Sequence, residues 1–132
     1  MKRVVISGAG SVNPLGQDVS SSFNALRVGR VAFGPLDIPD IDRLSVKIGA
    51  AVKDWQPEAH FDKSRLAMLD RHVQFALVSA RQAMAGMDLS PDLAAKMAVI
   101  MGTAGGGLIT QDDASRAVYE GGKNRVHPFT VP

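Results

Sequence analysis

The sequence contains no cysteine, which excludes disulfides, thiolate metal sites and a cysteine nucleophile among its 132 residues. Charge of one sign is also scarce: 15 Lys and Arg stand against 13 Asp and Glu, a formal net charge of +2. No long basic run occurs, so nucleic-acid binding is not implied. The longest apolar stretches fall well short of the ~18 residues a membrane span needs. The N-terminus enters a strand pattern with no signal-peptide core, so no membrane partner is expected and the cytoplasm is the default location. The histidines, His60, His72 and His127, are far apart and lack metal-ligand spacing. Each reads as a surface or hydrogen-bonded residue, and no chemistry and no metal is assigned to them.

What is present is enough apolar material, 45% of residues, for one ordinary globular domain. Twice an apolar run enters a glycine loop and then a helix pattern: Val4-Val5-Ile6-Ser7-Gly8-Ala9-Gly10 and Met97-Ala98-Val99-Ile100-Met101-Gly102-Thr103-Ala104-Gly105-Gly106-Gly107. Continuous rather than alternating apolar residues predict strands covered on both faces of a parallel or mixed sheet. Open α/β sheets place chemistry at the carboxyl ends of such strands, so both loops are candidate site walls.

Between them, Asp18 with Val19, Phe23 and Leu26 predicts a short capped helix stopped at Gly29. Residues 30–57 read as loop with an edge strand near Val46–Val52. From Asp70, the spacing of Val73, Ala76, Leu77, Ala80, Met84 and Met87 predicts an amphipathic helix of roughly 27 Å with that face buried. Its alanine-rich stripe permits close approach to a neighbour. Ser90-Pro91 opens a short helical segment, and a helix is expected from about Leu108 to Tyr119, ended by Gly121-Gly122. The proline spacing of 123–132 predicts an extended segment.

No nucleotide cofactor is supported. The third glycine of G-x-G-x-x-G would fall at Asn13, Pro14 follows it, and neither loop continues into Gly-Lys-Ser/Thr. For Gly102–Gly107 a tight turn is one reading. Three consecutive glycines exceed what a turn requires, so a pocket wall is the other. Asp112-Asp113 is read as acidic residues in a helix's first turn rather than a catalytic carboxylate pair.

Taken together, the first strand and Gly8-Ala9-Gly10, the Asp70-Arg71-His72-Val73-Gln74-Phe75-Ala76 helix start, the Met101–Gly107 loop and the Gly121-Gly122 to Pro128-Phe129-Thr130-Val131-Pro132 ending resemble the N-terminal part of β-ketoacyl-acyl carrier protein synthases, along the whole chain and in order. The elongating, type II kind and polyketide ketosynthases are most alike. The resemblance implies an α/β, thiolase-like fold with a five-stranded mixed sheet layered with helices, of which 1–132 would be an incomplete N-terminal half, and a dimer. It implies a decarboxylative Claisen condensation in which a cysteine takes an acyl group from acyl carrier protein and two histidines help a malonyl unit attack it. That cysteine, the histidines and an accompanying lysine fall beyond the segment resembling Pro128–Pro132, so this chain is expected to be inactive alone, to need no cofactor, and to supply scaffold and a substrate-pocket wall from Gly102, Thr103, Ala104, Gly105, Gly106 and Gly107. Gly105 stands where elongating members often hold a bulky gating residue.

The resemblance also implies docking of the acidic carrier protein by basic residues at Lys63 and Arg65, near positions held here by Ala67 and Met68, and at Lys123 and Arg125, with Asn124 where a basic residue is usual. A solvated charged face is the other reading of these four. Two rival functions stay open: a non-catalytic partner subunit of a ketosynthase heterodimer, and a small self-sufficient α/β binding domain.

Overall fold

The computed structural model describes residues 3–126. The chain divides into two compact units, Met1–Gln56 with Leu77–Met87, and Pro57–Ala76 with Asp88–Pro132.

In the first unit, helix α1 (Val19–Arg27) starts where Asp18 leaves extended backbone and accepts the Ser21 amide at 2.7 Å, with Ser21 Oγ answering the Asp18 amide at 3.3 Å. This reciprocal capping satisfies two amides that a helix start otherwise leaves open. The helix buries Ser22 and Ala25 and stops at Gly29, whose φ of +67° lets the Arg30 amide return to the Ala25 carbonyl at 2.9 Å. Strands β1 (Gly34–Pro35) and β2 (Ile48–Gly49) pair antiparallel, Gly34 opposite Gly49 and Pro35 opposite Ile48. The edge strand expected near 46–52 is thus present in its central residues.

Side chains hold the Gly8–Gln17 loop. Asn13 holds a tight turn, its backbone exchanging hydrogen bonds with Gly16 at 2.9 and 3.1 Å. Its amide group donates to Ser11 Oγ and Ser22 Oγ and accepts from the Leu15 amide. The residue that breaks the dinucleotide fingerprint is therefore the hub of this turn. Gln82 bridges the loop, accepting the Ser11 amide at 2.9 Å and donating to the Gln17 carbonyl at 2.7 Å.

Helix α3 (Arg71–Met84) has the predicted type, but its packing face is rotated from the expected stripe. Val78 is its buried residue, whereas Leu77, Ala80 and Met84 are exposed. The reason is close approach of backbone to backbone. A Cβ on Gly8 would overlap the Ala83 carbonyl, and one on Gly10 the Ser79 carbonyl, so the small-residue side of α3 meets the glycine segment.

In the second unit a 3₁₀ turn (Pro57–Ala59) packs on α2 (Lys63–Leu66), next to buried Phe61. Helix α4 (Pro91–Ala95) has Pro91 in its first turn and Ser90 accepting the Leu93 amide. Helix α5 (Leu108–Tyr119) matches its expected span.

Two expectations fail. Neither 3–7 nor 97–101 is a strand; Val4, Ile6 and Ile100 are each at least 94% exposed. A strand exists only when its amides and carbonyls find a neighbouring strand, and among the described residues none lies beside these runs. The sheet among the described residues has two strands. Asp112 and Asp113 lie past the first turn of α5, where Asp112 instead accepts from Arg116 one turn on at 2.9 Å. Of the extended 123–132 segment, residues 127–132 lie outside the described residues. No helix among the described residues is long and apolar enough to cross a membrane.

Candidate functional site

The second glycine loop ends at Gly107, whose φ of +82° no β-carbon-bearing residue adopts cheaply and which has no side chain to cap α5. The cap comes from elsewhere in the sequence. Asp70 Oδ2 accepts the Thr110 amide at 3.0 Å and the Thr110 hydroxyl at 2.6 Å, on the third residue of α5, where an N-cap side chain would normally reach. Its other oxygen, Oδ1, accepts the His72 amide at 3.1 Å, capping α3, which begins one residue later. One carboxylate thus closes two helix N-termini, each carrying partial positive charge.

The electrostatics follow. Burial of Asp70, whose side chain is 9% exposed, opposes ionisation. Hydrogen bonds from the Thr110 hydroxyl and the two amides, and from the His72 ring when its Nδ1 carries a proton, outweigh it and hold the carboxyl well below the usual carboxylate range.

His72 lies against the loop. Its Nδ1 is 2.8 Å from Asp70 Oδ1 and 3.0 Å from the Gly107 amide nitrogen. A Cβ on Gly106 would sit 2.6 Å from His72 Nε2 and 2.9 Å from Thr103 Oγ1, so the bare backbone there makes room for the imidazole. A Cβ on Gly105 would meet Leu108 Cδ1 at 3.1 Å, while one on Gly102 meets open space. Beside the loop is an open cleft of about 200 Å³ lined by Asp70, His72, Phe75, Gly105, Leu108 and Ile109. Apolar atoms predominate on its walls, and the Arg71 guanidinium lies 5.5 Å from the centre of the Phe75 ring.

Of the predicted wall residues, Gly105 and Gly107 line the cleft, Gly106 lies against the His72 ring and Thr103 Oγ1, and Gly102, Thr103 and Ala104 are not among the residues lining the cleft. Among the predicted basic residues, Lys123 and Arg125 line a second cleft of about 270 Å³ with Thr110, Asp113, Ala117 and Val126. Gly122, at φ +61°, turns the chain so that the Lys123 amide donates back to the Ala117 carbonyl, which places both cations there. Lys63 and Arg65 are on α2, whose start Asp62 caps through the Arg65 amide, and they do not line that cleft.

Sequence reasoning missed the Asp70–His72–Thr110 network. The Asp-x-His step at the start of α3 was a capping signal; the partner 40 residues away, Thr110, had none. Among the described residues no cluster of three or more His, Cys, Asp or Glu could hold a metal ion.

Residues 1–132 match the family described as beta-ketoacyl synthase, N-terminal domain. The 3-oxoacyl-acyl-carrier-protein synthase 2 of Staphylococcus aureus (strain COL) is 33% identical over 133 aligned positions, 99% of this chain and 32% of that protein. The protein of the same name from Coxiella burnetii (strain RSA 493 / Nine Mile phase I) is also 33% identical, over the same shares. The chain spans about a third of the length of these relatives. By this match along its whole length, and by a glycine loop and helix start in the predicted order, the chain belongs to the beta-ketoacyl synthase family, within its N-terminal domain.

Proposed function

We propose that this chain is the portion of a 3-oxoacyl-acyl carrier protein synthase that provides scaffold and one wall of the acyl pocket, in an enzyme that condenses an acyl thioester with malonyl-acyl carrier protein. The observation that carries this reading is the apolar cleft beside Gly105 and Gly107, in a chain that matches the family from end to end. The division of labour follows from chemistry. Condensation needs a thiolate to hold the acyl group and bases to support decarboxylation, and these residues include no cysteine. What they offer is bare backbone, a shape into which an alkyl chain can settle without displacing polar groups.

In this reading the thiolase-like sheet is completed around 3–7 and 97–101 by other strands of the complete protein, and the protein acts as a homodimer or a ketosynthase heterodimer. The carrier protein, an acidic partner, docks on Lys123 and Arg125, with Lys63 and Arg65 contributing a second basic site. Supporting this, Lys123 and Arg125 share one cleft and all four side chains belong to exposed residues.

The test is Gly105→Met in the complete protein, assayed with acyl-carrier proteins of graded chain length. The added side chain must displace Leu108, because its Cβ already stands 3.1 Å from that residue's Cδ1. A drop of about tenfold or more in kcat/KM for long chains, with short chains spared, is expected. An unchanged chain-length profile overturns the pocket-wall reading.

A further inference from the structure

His72 Nδ1 makes two contacts that one nitrogen cannot make together. The Gly107 N–H points at it from 3.0 Å and needs a lone pair there. Asp70 Oδ1, 2.8 Å away, is an acceptor and needs a proton there. A neutral imidazole with its proton on Nε2 serves Gly107; an imidazolium serves Asp70 and turns an N–H against the Gly107 N–H. We propose that His72 is a positioning residue for the glycine loop, anchoring Gly107 when neutral and releasing it when protonated, so that the wall beside the cleft responds to pH.

Three independent features support this. The carboxylate is fixed by Thr110 and by the His72 amide, so it cannot turn away to relieve the conflict. The imidazole lies against Gly106, where a Cβ would come within 2.6 Å of Nε2, so a shift of the ring is felt at the loop backbone. Gly107 has a backbone conformation that its own helix does not cap, which leaves its amide dependent on an outside acceptor. The charged groups around the ring are few. Asp70 faces it from the start of α3, and Arg71, next in sequence, places its guanidinium by Phe75. The loop 102–107 and the first turn of α5 bring neither acid nor base. The consequence for acyl chains rests on the pocket-wall reading above; the hydrogen-bond choice does not.

The experiment uses the complete protein labelled with ¹⁵N-glycine and ¹⁵N-histidine, followed by NMR from pH 8 to pH 5. The His72 nitrogens report the tautomer, and hydrogen exchange, expressed as protection against the intrinsic rate, reports Gly107. The expected result is an Nε2–H tautomer at high pH and a fall of about tenfold in Gly107 protection as His72 gains its second proton. His72→Phe should remove both the protection and its pH dependence. His72→Gln, whose carbonyl oxygen can accept from Gly107 at every pH, should keep protection and flatten the profile. A neutral His72 carrying its proton on Nδ1 overturns the proposal within the unmodified protein, and so does Gly107 protection that follows the same pH course in His72→Gln. Neither readout involves catalysis, so a failure here is distinct from an unchanged chain-length profile in Gly105→Met.

Discussion

Replacing Asp70 with alanine should cost far more than an ordinary surface carboxylate does. The substitution removes the cap of α3 at the His72 amide and the cap of α5 at the Thr110 amide, and each lost cap is worth about 1 kcal/mol. It also leaves the part-buried Thr110 hydroxyl without its acceptor at 2.6 Å, a further loss of about 1 kcal/mol. The total is roughly 3 kcal/mol, with non-additivity able to shift it by about a third. The assay is urea unfolding of the complete protein, with Asp42→Ala as control; Asp42 is 95% exposed and pairs with Lys47 at 3.3 Å, so its loss should fall within about 0.5 kcal/mol.

A pH arm isolates the charge. The Asp70 carboxyl is depressed in the folded chain, so its ionic contribution is complete above the unfolded carboxylate value of about 4 and is lost as pH falls through the lower native value. The stability gap between wild type and Asp70→Ala should therefore be about 1 kcal/mol smaller at pH 3 than at pH 5. An Asp70→Ala loss no larger than that of Asp42→Ala, or a gap that widens toward pH 3, would refute the double-cap account.

Glycine positions separate close packing from open space. Gly10→Ala drives a Cβ into the Ser79 carbonyl and should destabilise by about 3 kcal/mol or prevent folding, whereas Gly102→Ala meets nothing and should stay within about 0.5 kcal/mol, both read from thermal midpoints. Arg125→Glu in the complete protein should weaken carrier-protein binding and flatten its salt dependence, measured by titration at two ionic strengths; unchanged affinity would end that docking assignment. The isolated chain, with Val4, Ile6 and Ile100 open to water, should self-associate on size-exclusion chromatography, and a monomer that unfolds cooperatively would contradict this.

The parts legible in the sequence are those whose causes are local. Asp18 and Ser90 announce helix starts because a short oxygen-bearing side chain reaches amides two or three residues on, and Gly29 and Gly122 announce ends because each takes a positive φ. The span of α5, the edge strand at Ile48–Gly49 and the failure of the dinucleotide fingerprint at Asn13 were read the same way, and so was the family, from motifs in order along the chain. What only the tertiary structure decided is what depends on a partner far away in sequence. The apolar runs at 3–7 and 97–101 have strand composition yet form no strand, since pairing is a property of two segments and not of one. The face that α3 buries was settled by the glycines it meets, not by its own apolar stripe. At the candidate site, Asp70 reaches Thr110, 40 residues on, and His72 reaches Gly107, 35 residues on. Helix periodicity and capping rules extend over a few residues, so only folding could bring that carboxylate and that imidazole to the glycine loop.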